Sequence, residues 1–337
     1  MSEDSITAAA FNSTDSVLEI DHPSIRSYCI GVMLSLICAP GLIGNVLVSY
    51  AEISKGLLAS NNSSMYNLSF NLIIADTIHL AVIAFYLGPS SALQSWLLPD
   101  NWTREIPGRV LMVCWHNMLV DLCLLAVNRF VAVCMPQKYP SMFSKQHTKT
   151  MIVASWIGAI LICSIGEQLV PCCSLYLYYK VYSYGFPKEG SFNYNNAFII
   201  LPFNTFTSVV IIVAYSLVIY NVHATNSRVA DKLAAESQQR RRAKEIRYAF
   251  QLIIISAVFV SVWILFNTFN HTVPIEQATT GWFSVVVLLE VINASANSIV
   301  CIFFNKEING TLKKMFCCCF ASGTVAVTAV HPMTTQS

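Results

Sequence analysis

Seven apolar stretches, separated by shorter polar stretches, dominate the hydropathy pattern of this chain. Each is roughly 20 residues long, which is the length that a helix needs to cross the hydrocarbon core of a bilayer. The stretches are apolar along their full length and do not alternate, so helices fit them and a β-barrel does not. The pattern predicts an all-α membrane protein, a bundle of seven transmembrane helices. Segments 1 to 7 are residues 29–53, 65–88, 110–135, 150–171, 197–222, 248–269 and 281–304.

The composition supports a membrane protein, with 55% hydrophobic and only 11% charged residues. Soluble domains contain about 25% charged residues. A net charge of +2 and the lack of a basic run or Cys-His motif argue against a nucleic-acid partner. The sequence has no metal-ligand motif, nucleophile elbow or glycine-rich phosphate loop, so we expect no enzyme.

Basic residues are concentrated in one set of connecting segments, which the positive-inside rule places in the cytoplasm. The segments of that set contain Lys55, Lys138, Lys145, Lys149, Arg228, Lys232, Arg240, Arg241, Arg242, Lys244, Arg247, Lys306, Lys313 and Lys314. The other set contains Arg26, Arg104, Arg109, Lys180 and Lys188. The N-terminus is therefore expected outside, and an odd number of helices puts the C-terminus inside.

Four regions follow from this topology. They are an extracellular segment 1–27, a membrane bundle 28–304, a juxtamembrane amphipathic helix with a cysteine cluster at 305–320, and a cytoplasmic tail 321–337. Asn12 and Asn101 begin glycosylation tripeptides on the predicted outside. Cys317, Cys318 and Cys319 lie beside the membrane and are candidates for palmitoylation.

The cytoplasmic end of segment 3 reads Asn128-Arg129-Phe130 and continues into Pro136 and Tyr139. An arginine one turn inside a membrane edge is costly and therefore functional by default. The stretch resembles the Asp-Arg-Tyr signature of rhodopsin-like G-protein-coupled receptors, with Asn and Phe in place of the acid and the tyrosine. In this form it is most similar to the nematode serpentine chemoreceptors of the srx class.

Segment 2 carries Asp76 at mid-membrane, and ionisable residues there are functional candidates. The resemblance implies that Asp76 faces Asn45, Asn293 and Asn297 across the core and can bind sodium. The serine that supports sodium in the family appears here as Met118. A sodium site and a purely structural polar cluster both remain open, and no other cofactor is expected.

A second polar group is implied between segments 2, 3 and 4. By the resemblance, Asp121 lies beside Asn71 and Trp156, a trio that holds these helices together. A structural role is therefore preferred for Asp121 over a functional one.

Segments 6 and 7 hold the predicted activation residues. Phe259 and Trp263 are four apart and share one helix face, and they resemble the family's pair below the ligand. Glu245 has the position of the acid that pairs with Arg129, so we expect an ion pair that closes the cytoplasmic end. Besides Asn128, Arg129, Phe130 and Glu245, the resemblance assigns Asn297 and Cys301 to coupling, with Cys301 replacing a tyrosine.

The predicted ligand pocket lies between the outer halves of the helices and contains His79, Trp115, His116, Trp263 and Glu290. A retinal receptor would need a lysine at Val291, and an amine receptor of the family would place an aspartate near Leu111. His79 and Glu290 could face each other and suit a small polar or weakly basic ligand. They could equally form a bond that only fastens two helices.

The resemblance implies a receptor that binds an extracellular small molecule and activates a heterotrimeric G protein, in the plasma membrane or cilium of a sensory neuron. A neuropeptide receptor or another rhodopsin-like receptor is the alternative within the class. A seven-helix transporter is the rival class, although it favours repeated halves and broken helices that this sequence does not display.

Overall fold

A computed structural model describes residues 23–59, 63–168, 175–179, 182–185, 194–229, 236–272 and 280–321. The described part contains seven helices that are long and apolar enough to span a membrane, which confirms the predicted fold class. The helices, numbered to match the segments, are α1 Ile25–Ser54, α2 Ser63–Val82 with its continuation Ile83–Leu87 and Gly88–Leu93, α3 Asn101–Cys134, α4 Lys145–Gln168, α5 Leu201–Val229, α6 Glu236–Thr272, α7 Thr280–Phe304 and α8 Lys306–Ala321.

Several helices extend beyond their apolar segments. The largest differences are at α3, which begins at Asn101, and at α6, which begins at Glu236. At α3 the reason is local: Asp100 is the N-cap, and its backbone N–H donates to the Thr103 hydroxyl at 3.2 Å. Such a capping box satisfies helix-end groups in water, so the helix continues where the hydropathy pattern has stopped.

The outer surface of the bundle is apolar, with exposed side chains such as Ile43, Val46, Ile157 and Val213. Exposed aliphatic residues in this number are expected only where lipid replaces water. The interior contains buried polar side chains as well as apolar ones, including Asn45, Asp76, Asp121 and Arg129. The bundle is thus apolar outside and partly polar inside, as a multi-pass membrane protein requires.

Helix α1 packs closely against α7 at two glycines. A Cβ atom on Gly41 would lie 2.2 Å from the Ser295 Oγ, and one on Gly44 would lie 2.7 Å from the Ser298 Oγ. Small residues allow backbones in membranes to approach and gain van der Waals contact. These glycines therefore set the α1–α7 distance.

Two π turns interrupt the helices near one end of the bundle. The turn Asn196–Ile200 comes just before Pro202, and Ile83–Leu87 precedes Pro89. Proline removes a backbone donor, so a carbonyl in the previous turn needs another partner. At the second turn Ser35 provides one, since its hydroxyl donates to the Ala84 carbonyl at 2.8 Å.

A short β-hairpin lies over the same end of the bundle. Strands β1 Tyr176–Tyr178 and β2 Ser183–Gly185 pair antiparallel, with Leu177 opposite Tyr184. A Cβ on Gly108 would lie 1.8 Å from the Leu175 carbonyl oxygen, so only glycine lets the chain before β1 rest on α3. We call this the hairpin end of the bundle, and the opposite end, which contains Arg129, the arginine end.

Candidate functional site

A cavity opens between the helices below the hairpin. It holds about 630 Å³ of empty space, including open space at its mouth. Small-molecule sites are concave and lined mostly by apolar side chains with a few polar groups, as this cavity is. Four of the predicted pocket residues line it, namely His79, Trp115, Trp263 and Glu290. The other lining residues are Leu111, Met112, Leu175, Tyr184, Asn196, Ile200, Val262 and Leu289.

The Glu290 carboxylate is the centre of the polar side of this cavity. The His79 Nε2 lies 2.9 Å from its Oε2, and the Tyr184 hydroxyl donates to its Oε1. Burial, together with the adjacent Glu290 carboxylate, raises the pKa of Tyr184 well above its usual range. The phenol therefore keeps its proton and remains a donor. The carboxylate thus joins α2, α7 and the hairpin at one point.

Aromatic rings form the deep wall of the cavity. Trp263 and Phe259 are buried on the same face of α6, and the Trp115 ring centroid lies 6.2 Å from that of Phe259. A ligand that contacts Trp115 and Trp263 therefore contacts both α3 and α6.

The structure does not place His116 on this cavity. Its Nδ1 lies 2.8 Å from the Met112 carbonyl oxygen, and its ring stacks on Phe203 of α5 with centroids 5.7 Å apart. Trp115 and His116 point about 100° apart on the helix, and the rotation of α3 turns Trp115 to the cavity and His116 to α5. His116 instead packs among α3, α4 and α5, where Cys163 is its neighbour on α4.

Deeper in the bundle, Asp76 and Asn297 form the first part of the predicted polar cluster. The Asn297 Nδ2 donates to the Asp76 Oδ2 at 2.5 Å, while the Asn297 Oδ1 is buried without a hydrogen-bond partner. Asn293 donates to the Met118 sulfur at 3.1 Å. Asp76 and Asn293 line a cavity of about 210 Å³ that also touches His79 and Glu290.

Asn45 belongs to the same layer of the sequence prediction but makes no side-chain hydrogen bond. Both atoms of its amide are buried without a partner among the described residues. Burying an unpaired amide costs free energy, so the buried Asn45 side chain destabilises the fold. The Asp76 carboxylate and the unpartnered Asn297 amide oxygen are of the ligand type that a hard cation such as sodium prefers, so the chemistry of these residues fits sodium.

The predicted trio between α2, α3 and α4 lies within hydrogen-bond distance. The Asn71 Nδ2 donates to the Asp121 Oδ2 at 2.7 Å, and the Trp156 Nε1 donates to the Asn71 Oδ1 at 2.8 Å. The sequence did not indicate that Asn117 also donates to Asp121, at 3.1 Å, or that Ser155 donates to Asn117, at 2.7 Å. Five side chains therefore connect three helices.

Arg129 is almost fully buried at the arginine end, with 2% of its surface exposed. Its guanidinium donates to the Asn128 Oδ1 from two nitrogens, at 2.5 and 3.2 Å, and Asn128 donates to the Tyr139 hydroxyl at 3.3 Å. Tyr215 of α5 lies close enough to the guanidinium to interact with it electrostatically. Phe130 packs on the adjoining apolar core. Asn128 thus holds the arginine with a neutral oxygen where the family signature has an acid.

The same end contains a tyrosine bridge that the sequence did not suggest. The Tyr66 hydroxyl of α2 donates to the Glu307 carboxylate of α8 at 2.6 Å and lies 2.7 Å from the Tyr248 hydroxyl of α6. Because a hydroxyl has one hydrogen, Tyr248 must donate to Tyr66. We call Tyr66, Tyr248 and Glu307 the tyrosine bridge. Nearby, the Gln251 Nε2 of α6 lies 3.0 Å from the Cys301 sulfur of α7.

Some predicted site residues cannot be placed. Asn12 lies outside the described residues, as does the tail 322–337. Asn101, Glu245 and the cysteines 317–319 lie in described helices, but their side chains are outside the described part. The Arg129–Glu245 ion pair, the glycosylation sites and the lipidation sites therefore stay predictions.

Two groups of functional residues were missed by sequence reasoning. Tyr184 lies in an aromatic loop whose register over the bundle no local pattern reveals. The members of the tyrosine bridge are up to 241 residues apart in sequence. The only available signal was the polar hydroxyl of Tyr66 and Tyr248 near apolar segment ends, which is also typical of membrane-interface tyrosines.

Comparison with known proteins places these features in a family. Residues 36–305 match the model of the family described as "Serpentine type 7TM GPCR chemoreceptor Srx". Among curated proteins, the chain is similar to somatostatin receptor type 5 of Rattus norvegicus, with 24% identity over 93% of this chain and 84% of the relative. It is also similar to somatostatin receptor type 2 of Mus musculus, with 26% identity over 86% of this chain and 77% of the relative.

Solved structures show the same fold. The crystal structure of squid rhodopsin superposes with a TM-score of 0.74 and 16% identity, covering 92% of this chain and 91% of that one. The family match extends over most of the chain and includes the arginine end, the polar core and the cavity. The likeness to receptors does not favour the transporter alternative. This chain therefore belongs to the Srx family of serpentine seven-transmembrane chemoreceptors and is a G-protein-coupled receptor.

Proposed function

We propose that this receptor detects a small molecule from outside the cell, which binds in the cavity below the hairpin between Trp263 and Glu290. The observation that carries the proposal is the convergence of three structural elements on one cavity. Helix α2, helix α7 and the hairpin meet at Glu290, while Trp115 and Trp263 extend the same wall into α3 and α6. A ligand there can change the relative stability of two bundle packings.

The hairpin end faces the outside in this proposal, and the arginine end faces the cytoplasm. Support comes from the concentration of basic residues in the connections at the arginine end, such as Lys138, Lys145 and Lys149. The plasma membrane of a sensory neuron, including its cilium, is the proposed location. Membership of the chemoreceptor family supports this location.

Activation would open the arginine end. Helices α3, α5 and α6 would part there and admit a helix of a heterotrimeric G protein into the groove. Arg129 would then exchange its Asn128 partner for the G protein. The proposed ion pair with Glu245 belongs to the closed packing.

A peptide ligand is the less favoured alternative. The named relatives are somatostatin receptors, but Leu175 and Tyr184 line the cavity from the hairpin side and restrict access to it, which favours a small molecule.

The proposal is tested by nucleotide exchange on a heterotrimeric G protein in membranes that contain the receptor. A panel of small odorous compounds should include at least one that accelerates exchange with the native chain, and Arg129→Ala should abolish that acceleration. Lys149→Ala, an exposed residue on α4, is the matched control and should keep it. Solute uptake without nucleotide exchange would contradict receptor function.

We further propose that sodium binds between Asp76, Asn293 and Asn297. Since an ion that binds only the folded state stabilises it, sodium chloride should raise the Tm of the purified receptor above that in choline chloride at equal ionic strength. Asp76→Asn removes the charge and should remove the difference. An equal Tm in the two salts for the native receptor would show that Asp76 and the two asparagines form a structural cluster only.

A further inference from the structure

The cavity below the hairpin has an unusual charge balance. Among the described residues that line it, Glu290 is the one carboxylate, His79 is the one imidazole, and there is no lysine or arginine. Both side chains are largely buried, with 12% and 7% of their surfaces exposed. Charge–charge interactions are strong in such a low-dielectric place. A carboxylate there favours a positively charged neighbour.

Two side chains hold Glu290 by hydrogen bonds. The Tyr184 hydroxyl donates to its Oε1, and the His79 Nε2 lies 2.9 Å from its Oε2. Each carboxylate oxygen can accept more than one hydrogen bond. A ligand ammonium group, which carries several N–H donors, would therefore find acceptors at this carboxylate.

Tyr184 is the donor that a ligand can most readily replace. It lies on β2, one of two strands of only three residues each. A three-residue strand has fewer hydrogen bonds to break than a packed helix, so it can move at a lower free-energy cost. His79, in contrast, is fixed on α2 between the cavity and the polar layer around Asp76. Exchange of the phenol for a ligand donor would release the hairpin from α7.

The remaining walls indicate the body of the ligand. Leu111, Met112, Ile200, Val262 and Leu289 are apolar, and two tryptophans lie on the same cavity. An indole face attracts a cation within about 6 Å of its centroid. A molecule with an apolar body and one cationic end therefore matches both sides of the cavity.

This arrangement changes the sequence argument about amines. That argument depended on helix α3, where Leu111 takes the position of an aspartate. Leu111 does line the cavity, but the acid enters it from α7 at Glu290. The cavity therefore has an acid, but on α7 instead of α3.

We propose that the receptor's ligand is a small apolar monoamine, whose protonated nitrogen binds the Glu290 carboxylate in place of the Tyr184 hydroxyl. The inference rests on the proposed function, since it assumes that this cavity is the ligand site. It names the chemical class of the ligand and the residue that selects it.

The test is binding to the purified full-length receptor in lipid nanodiscs, read as a rise in Tm with compound concentration. The probes are matched sets of one shape with different end groups: 2-phenylethylamine, 2-phenylethanol and 3-phenylpropanoic acid, and the corresponding cyclohexyl and naphthyl compounds. At least one amine should bind about tenfold tighter than its alcohol, and the acids should bind weakest.

Glu290→Gln should remove the preference for the amine and leave alcohol binding unchanged, because the amide keeps the shape and loses the charge. Glu105→Gln is the matched control. That acid lies on α3, accepts from Tyr176 and pairs with Arg109, and does not line the cavity. It should retain the preference.

Three results would overturn the proposal: equal binding of amine and alcohol, a preference that survives Glu290→Gln, or a panel in which no amine binds. Nucleotide exchange is measured separately on the same preparations. Glu290-dependent amine binding without exchange would refute coupling and leave the ligand class intact. Exchange driven by an alcohol or an acid would support the receptor function and refute the ligand class.

Discussion

Tyr248→Phe is expected to raise ligand-independent nucleotide exchange several-fold. The Tyr248 hydroxyl donates to Tyr66, which in turn donates to Glu307, so the tyrosine bridge fastens α6 to α2 and α8. In the proposed activation, opening of the arginine end breaks the α6 connection. A hydrogen bond of this kind contributes about 0.5–1.5 kcal/mol, and roughly 1 kcal/mol changes a two-state population about fivefold.

The substitution is chosen to remove one atom and keep the packing. The rings of Tyr66 and Tyr248 meet edge to face with centroids 6.2 Å apart, and phenylalanine preserves that contact. Tyr66→Phe removes both hydrogen bonds of the bridge, so its basal exchange should be at least as high.

Exchange is measured with GTPγS at matched receptor amounts in the membrane, without added ligand. Tyr50→Phe, whose side chain is exposed on α1, is the control and should resemble the native chain. Unchanged or lower basal exchange in Tyr248→Phe would mean that the bridge does not stabilise the closed packing.

Asp121→Leu should destabilise the receptor by about 2–4 kcal/mol. Asp121 accepts from Asn71 and Asn117, and removal of the carboxylate leaves two buried amide donors unsatisfied. Each unsatisfied donor costs about 1–3 kcal/mol. In membranes, side-chain hydrogen bonds average only about 0.6 kcal/mol, because polar groups find other partners there. The combined value should therefore lie at the lower end.

Asp121→Asn is the matched variant, because its amide oxygen can still accept both hydrogen bonds. Thermal unfolding of the purified protein should show a Tm roughly 3–6 °C lower for Asp121→Leu, with Asp121→Asn close to native. If the leucine and asparagine variants unfold at the same temperature, the hydrogen bonds of Asp121 do not hold α2 and α3 together.

Much of the site could be predicted because isolated ionisable residues are easy to recognise within apolar segments. Asp76, Asp121, Arg129 and Glu290 lie in segments where every charge is costly. A polar group there must face the interior, so the partners expected from other helices were few. The Asn71–Asp121–Trp156 trio was expected from the family resemblance, and the facing of His79 and Glu290 was raised as a possibility from their positions in the outer helix halves.

Other features depended on helix rotation, which hydropathy does not report. The seven segments are apolar on all sides, so the sequence could not decide which of two neighbours faces the cavity. Trp115 faces it and His116 packs against α5. The same limit applied to Tyr66 and Tyr248, which could equally have been anchors at the membrane surface.

By itself, the sequence determined that the chain crosses a membrane seven times and that a few polar residues lie inside the bundle. The reason is that length and apolarity identify each transmembrane helix independently of the others. The tertiary structure alone decided that Tyr184 reaches Glu290 and that Tyr66 joins α6 to α8. These contacts join segments 106 to 241 residues apart. They exist only after packing has set the rotation and depth of each helix.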